Sequence, residues 1–153
     1  MKVFYRLKNY WIRVYSFYKT AVLKLMGATV GKNVKFYGRV IFKGKYENIF
    51  IGNNCTFNEG VYIAARAKIV IGNNVRISAF SKLITANLDL NSMTHKFDNI
   101  QIDDNCWIGT GSTILPGITL ENNSVVAAGS VVTKNVLKNT IVAGVPAKII
   151  ERK

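Results

Sequence analysis

One histidine stands in the whole chain, His95, inside "TANLDLNSMTHKFDNIQ" at residues 85–101. Imidazole is the side chain whose ordinary pKa suits it to take and return a proton near neutral pH. The stretch around it is polar, and it interrupts a six-residue rhythm that runs on both sides. A loop leaving a rigid scaffold is where a reactive group is commonly displayed. Asp89 and Asp98 lie close enough in sequence to accept the second ring N–H and orient the ring. Solvated loop acids would read the same way.

The remaining reactive residues narrow the chemistry. Two cysteines, Cys55 and Cys106, form neither a disulfide framework nor a metal-type spacing. Each falls at a repeat position otherwise held by Val, Ser or Ala, which predicts a small buried side chain. With one histidine and no CxxC, a structural zinc site is not expected, nor is a catalytic metal held by several histidines.

The scaffold that must position His95 is repetitive. "VGKNVK", "IGNNCT" and "IGNNVR" begin at residues 30, 51 and 71. When 102–119 is laid over 120–137, aliphatic residues coincide at 102/120, 108/126 and 114/132, and small residues at 106/124 and 112/130. Six residues hold one short strand and a turn, and Gly and Asn tolerate the positive φ that such corners need. Three units make an eighteen-residue coil, and stacked coils bury the recurring aliphatics in one continuous interior. The expected fold is all-β, a triangular parallel solenoid over 28–150 with a loop excursion at about 85–101 and a tail at 151–153.

Residues 1–27 read as a basic amphipathic helix. Phe4, Leu7, Trp11, Val14, Tyr18, Val22 and Leu25 follow three- and four-residue steps, Lys2, Arg6, Asn9, Arg13 and Ser16 follow another face, and Gly27 is a stop. Charges interrupt it too often for a membrane span. An aromatic face opposite a basic one fits a helix lying in a membrane interface, while capping the solenoid core is the other use of such a helix. The net charge of +13 is uneven: residues 1–50 hold eleven basic side chains and one acid, Glu47. A basic end on a nearly balanced body points to an anionic partner there. Nucleic acid is not expected, because no recognition motif accompanies the charge.

From residue 30 onward the chain resembles the hexapeptide-repeat acyltransferases, which include maltose, galactoside and colanic-acid-type O-acetyltransferases. The resemblance is carried by "IDDNCWIGTGSTILPGITLENNSVVAAGSVVTKNVLKNTIVAGVPAKII". Its phrases W-I-G, A-A-G-S-V-V-T-K and A-G-V-P-A-K belong to the coenzyme A-dependent branch. The resemblance implies a left-handed parallel β-helix, acetyl-CoA as co-substrate without a metal, and a homotrimer with active sites between neighbours. His95 would be the base. The amide of Thr110, after Trp107-Ile108-Gly109, would hold the oxyanion, with Gly109 and Gly111 leaving room for the thioester. Ala128, Thr133, Lys134 and Lys148 would contact coenzyme A. Asn58 and Asp89 would face the acceptor, and Arg66 stands where some sugar acetyltransferases have an acid, which favours an anionic acceptor. One departure is plain. Many relatives place the base in a T-G-H or T-x-H phrase, here Thr85-Ala86-Asn87-Leu88, so the usual position falls on Leu88 and His95 lies seven residues further on. Either the imidazole comes from the far side of the loop or the usual base is missing.

The expected function is acetyl transfer from acetyl-CoA to a saccharide hydroxyl in surface polysaccharide assembly, in the cytoplasm and at the inner membrane face. An N-acyltransferase on an amino-sugar nucleotide and a non-enzymatic membrane-associated scaffold are the alternatives.

Overall fold

The computed structural model describes residues 2–152. A 24-residue helix, α1 (Lys2–Leu25), is followed by short strands that wind into a left-handed parallel β-helix of triangular section. The first face stacks Thr29–Val30, Ile49–Ile51, Ile69–Ile71, Ile100–Ile102 and Thr119–Leu120. The second starts at Lys35–Phe36 and reaches Thr140–Ala143, with Lys148–Arg152 added antiparallel at its end. The third runs from Ile41–Gly44 to Val131–Val132. The aligned aliphatics are true stacking partners: Ile102 pairs with Leu120, Ile108 with Val126 and Ile114 with Val132. All six are buried, and they belong to one continuous core that runs the length of the stack.

Coil length departs from eighteen. On the second face Lys35, Thr56, Arg76, Trp107, Val125 and Ile141 succeed one another, so the coils advance by 21, 20, 31, 18 and 16 residues. Only one step has the predicted period. Strand length is set by the shared ladder, so the surplus collects at corners.

The three corners are built differently. Between the first and second faces, Asn33, Asn54, Asn74, Asn105, Asn123 and Asn139 all hold φ of 55–61°. Their amides bond along the stack, Asn33 to Asn54 at 3.2 Å, Asn54 to Asn74 at 3.3 Å and Asn74 to Asn105 at 3.1 Å. Asn fits because its short amide tolerates the left-handed region and bonds there. Between the second and third faces Gly60, Gly111 and Gly129 hold φ near 70°. The corner between the third and first faces changes from coil to coil and carries the long excursion.

Both cysteines are buried and free, as their repeat positions predict. Burial pushes the Cys55 thiol up to about 11 and raises that of Cys106 as well.

The helix packs with a face other than the apolar one read from sequence. Ser16, assigned there to the basic side, is 5% exposed and accepts a 2.9 Å hydrogen bond from the Phe36 N–H. Lys35 and Tyr37 donate onward to the next coil. Phe36, pointing the other way in a parallel strand, has no coil beneath it and takes the serine instead. Leu23 is buried beside it, and Lys19 lies 5.4 Å over the Phe42 ring. Burial, with Arg39 nearby, lowers the Lys19 pKa. Leu7, Trp11, Val14, Tyr18 and Leu25 stay exposed. The side chains of Lys2, Phe4, Arg6 and Asn9 lie outside the described residues.

Candidate active site

The excursion is a β-hairpin of Ala86–Asp89 and Thr94–Phe97, rising from the variable corner of the third coil. Its root is held by Thr85, which is completely buried. The Thr85 hydroxyl donates to Ala64 O at 2.8 Å and accepts the N–H groups of Arg66 and Ala67 at 2.9 and 3.0 Å. Its carbonyl accepts the Asp98 N–H at 3.0 Å, which closes the base of the ribbon. The sequence reading names Thr85 only as the start of the phrase that ends at Leu88, and gives it no structural role. The available signal was a polar side chain directly after the inward-pointing Leu83 and its neighbour Ile84.

The hairpin sets His95 opposite the residue that aligns with the expected base position. His95 is the cross-strand partner of Leu88. Opposed residues in an antiparallel pair project from the same face, with Cβ atoms about 5 Å apart. The imidazole therefore emerges beside the side chain that holds the usual place, from the facing strand. It stacks on Phe97, two residues along the same face, with ring centroids 6.2 Å apart and planes 20° from parallel. Among the described residues the imidazole makes no hydrogen bond.

Asp89 does not orient it. Asp89 pairs across the ribbon with Thr94, one place on from Leu88, and so lies on the opposite face. Its carboxylate binds Lys96 and accepts the N–H groups of Asn91 and Ser92 at 2.9 and 3.2 Å. Lys96 first, then these N–H groups, hold the carboxyl below its usual range. Asp89 shapes the hairpin turn.

The glycine corner supplies backbone. In each turn one N–H runs along the stack: Gly111 donates to Ala79 O at 2.9 Å and Gly129 to Thr110 O at 2.8 Å. The Thr110 N–H stands outside this ladder and donates to no group among the described residues. The flanking glycines have separate causes. A Cβ on Gly109 would meet Ala128 N at 2.6 Å and Val126 O at 2.7 Å, so the next coil requires it. A Cβ on Gly111 meets nothing within 4 Å; its φ of +69° and the open space above it fit an approaching ligand. Trp107 is half-exposed below, its indole N–H donating to Ser78 Oγ at 3.0 Å. Ala128 is exposed one coil above Thr110. Asn58 lies on this corner too, with one amide hydrogen committed to Ile77 O at 3.3 Å. Phe80, unmentioned in the sequence reading, takes the glycine place at φ 60° with 59% of its surface exposed. An aromatic in the left-handed region costs roughly 1–2 kcal/mol and marks this corner as unusual.

The variable corner collects the charges. Thr133 and Lys134 at this corner and Lys148 on the last strand line one cleft of about 330 Å³ at the C-terminal end of the stack, with Val132, Val136, Val142 and Pro146. Arg66 is exposed just below the hairpin root. Thr133 and Lys134 turn at the same edge of the prism as His95, while Lys148 reaches the cleft from the returning last strand. Thr110, Ala128 and Asn58 occupy the other edge of the third face, so one chain does not bring all the expected residues together.

Known proteins resemble this chain in sequence and in fold. A family model described as the hexapeptide repeat of succinyl-transferase matches residues 99–134. The galactoside O-acetyltransferase of Escherichia coli is 36% identical over 138 residues, covering 86% of this chain and 67% of that protein. A maltose O-acetyltransferase from Clostridium difficile superposes with a TM-score of 0.82 at 29% identity, covering 96% of this chain and 84% of the other. A galactoside acetyltransferase in complex with coenzyme A superposes at 0.79 with 33% identity, covering 87% and 68%. The chain spans 55% to 67% of the length of three curated relatives it matches. Identity at this level, on the same coiled scaffold and over most of both chains, establishes common descent: the chain belongs to the hexapeptide-repeat acyltransferase family.

Proposed function

We propose that the protein transfers an acetyl group from acetyl-CoA to a hydroxyl of a saccharide, as a homotrimer whose neighbours complete each site. The observation that carries this reading is the cleft at the C-terminal end of the stack. It gathers Thr133, Lys134 and Lys148, three of the residues expected to hold coenzyme A, where two ammonium groups can meet phosphates.

The residues divide the chemistry between them. His95 takes the proton from the acceptor hydroxyl as its oxygen bonds to the thioester carbonyl carbon. The Thr110 N–H, free of the ladder, donates to the carbonyl oxygen as it becomes anionic. As the C–S bond breaks, the imidazolium returns its proton to the leaving sulfur, so charge and protons balance. His95 and Thr110 lie on different edges of the prism, which is why a neighbouring copy belongs to the reading. The saccharide is supported by the galactoside and maltose enzymes among the relatives. Arg66, exposed and in no ion pair among the described residues, favours an acceptor with negative charge. A cytoplasmic place in surface polysaccharide assembly fits that acceptor.

Calorimetric titration with acetyl-CoA tests the reading without knowledge of the acceptor. Saturable binding is expected, weakened about tenfold in Lys134→Ala and similarly by coenzyme A lacking its 3′-phosphate. A folded protein that binds no acetyl-CoA would overturn it.

A further inference from the structure

We infer that the outward face of α1 docks on an anionic lipid bilayer. With Ser16 turned to the first coil and about 100° between successive residues, Leu7, Val14, Tyr18 and Leu25 point away from the protein, flanked by Trp11 and Phe17. These side chains are exposed, Phe17 by 79%, Trp11 by 65% and Leu25 by 89%. From residue 10 to 25 no charged side chain falls in this outward arc. Arg13 and Lys24, both exposed, sit on one margin of the arc, and Lys19 turns inward over the Phe42 ring. Soluble surfaces rarely carry a continuous apolar strip of this size without a partner.

Charge identifies the partner. Residues 1–50 contain eleven basic side chains and a single acid, Glu47. A second copy meeting this face would bring Arg13 and Lys24 against their own equivalents. A layer of anionic headgroups neutralises the same margin while its acyl region receives the aromatic strip. Tyr and Trp are the side chains that settle at such a boundary. Among the described residues no helix is long and apolar enough to cross a membrane, so α1 lies along the surface.

The placement has a consequence for the site. α1 covers the first coil and the hairpin leaves the third, with adjacent coils about 4.8 Å apart. Lys45, Arg66 and Lys68 occupy the variable corner between the two levels. Docking would hold the hairpin a short distance above the headgroups, within reach of an acceptor anchored in the bilayer. The docking itself stands independently of acetyl transfer.

Vesicle co-sedimentation of the full chain tests it, with phosphatidylcholine alone and with added phosphatidylglycerol. The expected result is pelleting with the anionic vesicles only, declining as salt is raised. Trp11→Ser combined with Phe17→Ser should weaken it about tenfold or more. Its thermal midpoint and acetyl-CoA binding should stay unchanged, because both side chains stand largely in solvent. Failure to pellet with anionic vesicles would overturn the inference, as would equal pelleting with neutral ones or by the double variant. A lower oligomeric mass in the double variant would also overturn it, by assigning the face to a second copy.

Discussion

Two corners flank the third face of the solenoid and obey opposite rules. At the glycine corner the turns 58–61, 78–81, 109–112 and 127–130 repeat one geometry, with backbone groups bonded from coil to coil. At the variable corner no two coils turn alike: a short 3-10 turn at Tyr46–Asn48, the Arg66 turn, the hairpin, Pro116-Gly117, then Thr133-Lys134. A repeated turn can present only what repetition permits, an amide at a fixed height. An unconstrained turn can lengthen and carry imidazole, guanidinium or ammonium. Division of labour between corners lets a rigid stack hold both a backbone donor and a set of side chains.

The largest expected effect comes from breaking the repeated corner. Gly109→Ala drives a Cβ into the backbone of the next coil, with no side chain able to yield. It should lower thermal stability severely or prevent folding. Gly111→Ala, two residues away with open space around it, should cost only about 1 kcal/mol, from its positive φ. Equal costs at the two glycines would remove the distinction between stacking and ligand access.

The variable corner should be chemically sensitive and structurally tolerant. His95→Ala should reduce acetyl transfer about 10²–10⁴-fold with unchanged acetyl-CoA binding and stability. The exchange variant, Leu88→His with His95→Leu, moves the imidazole to the facing strand of the same ribbon face. It should recover part of the lost rate. An exchange variant as inactive as His95→Ala would mean that the ribbon face alone does not define the base position.

The smallest effect belongs to Asp89. Its folded carboxyl is held below its ordinary pKa by Lys96 and two backbone N–H groups. The contribution to hairpin order is therefore complete above about pH 4 and fades as pH falls through the lower folded value. Both partners of the pair meet water, so salt screens it. Amide chemical shifts across 86–97 should report the loss with the global unfolding midpoint barely moved.

Much of this was legible in the sequence, and the limits have physical causes. The pairs 102/120, 108/126 and 114/132 were visible because inward aliphatics must stack in register. The excursion was visible because it broke that register. The Leu88–His95 pairing was not, since it depends on where an antiparallel ribbon turns, and nothing in a period of six dictates that. Asp89 looked like a partner for the imidazole by proximity, whereas strand alternation sends the two to opposite faces. Ser16 was placed with the basic residues by helical spacing alone. Its burial answers an end effect, the Phe36 N–H with no coil beneath it, which a repeat cannot reveal.

That end effect has a counterpart at the far terminus. A stack of parallel coils offers, at each open end, a template on which another molecule could continue. Here the first coil meets a helix that fills its unpaired donor with a serine hydroxyl. The last coil is folded over: Lys148–Arg152 returns antiparallel on Thr140–Ala143, and the N–H and carbonyl of Val131 are taken by Gly144 and Ala147. The helix lies against the outer strands Thr29–Val30 and Lys35–Phe36, and the returning strand covers the outer side of Thr140–Ala143. The geometry that would let a further coil add is thereby interrupted on part of each outer turn, by a helix at one side of the stack and a reversed strand at the other.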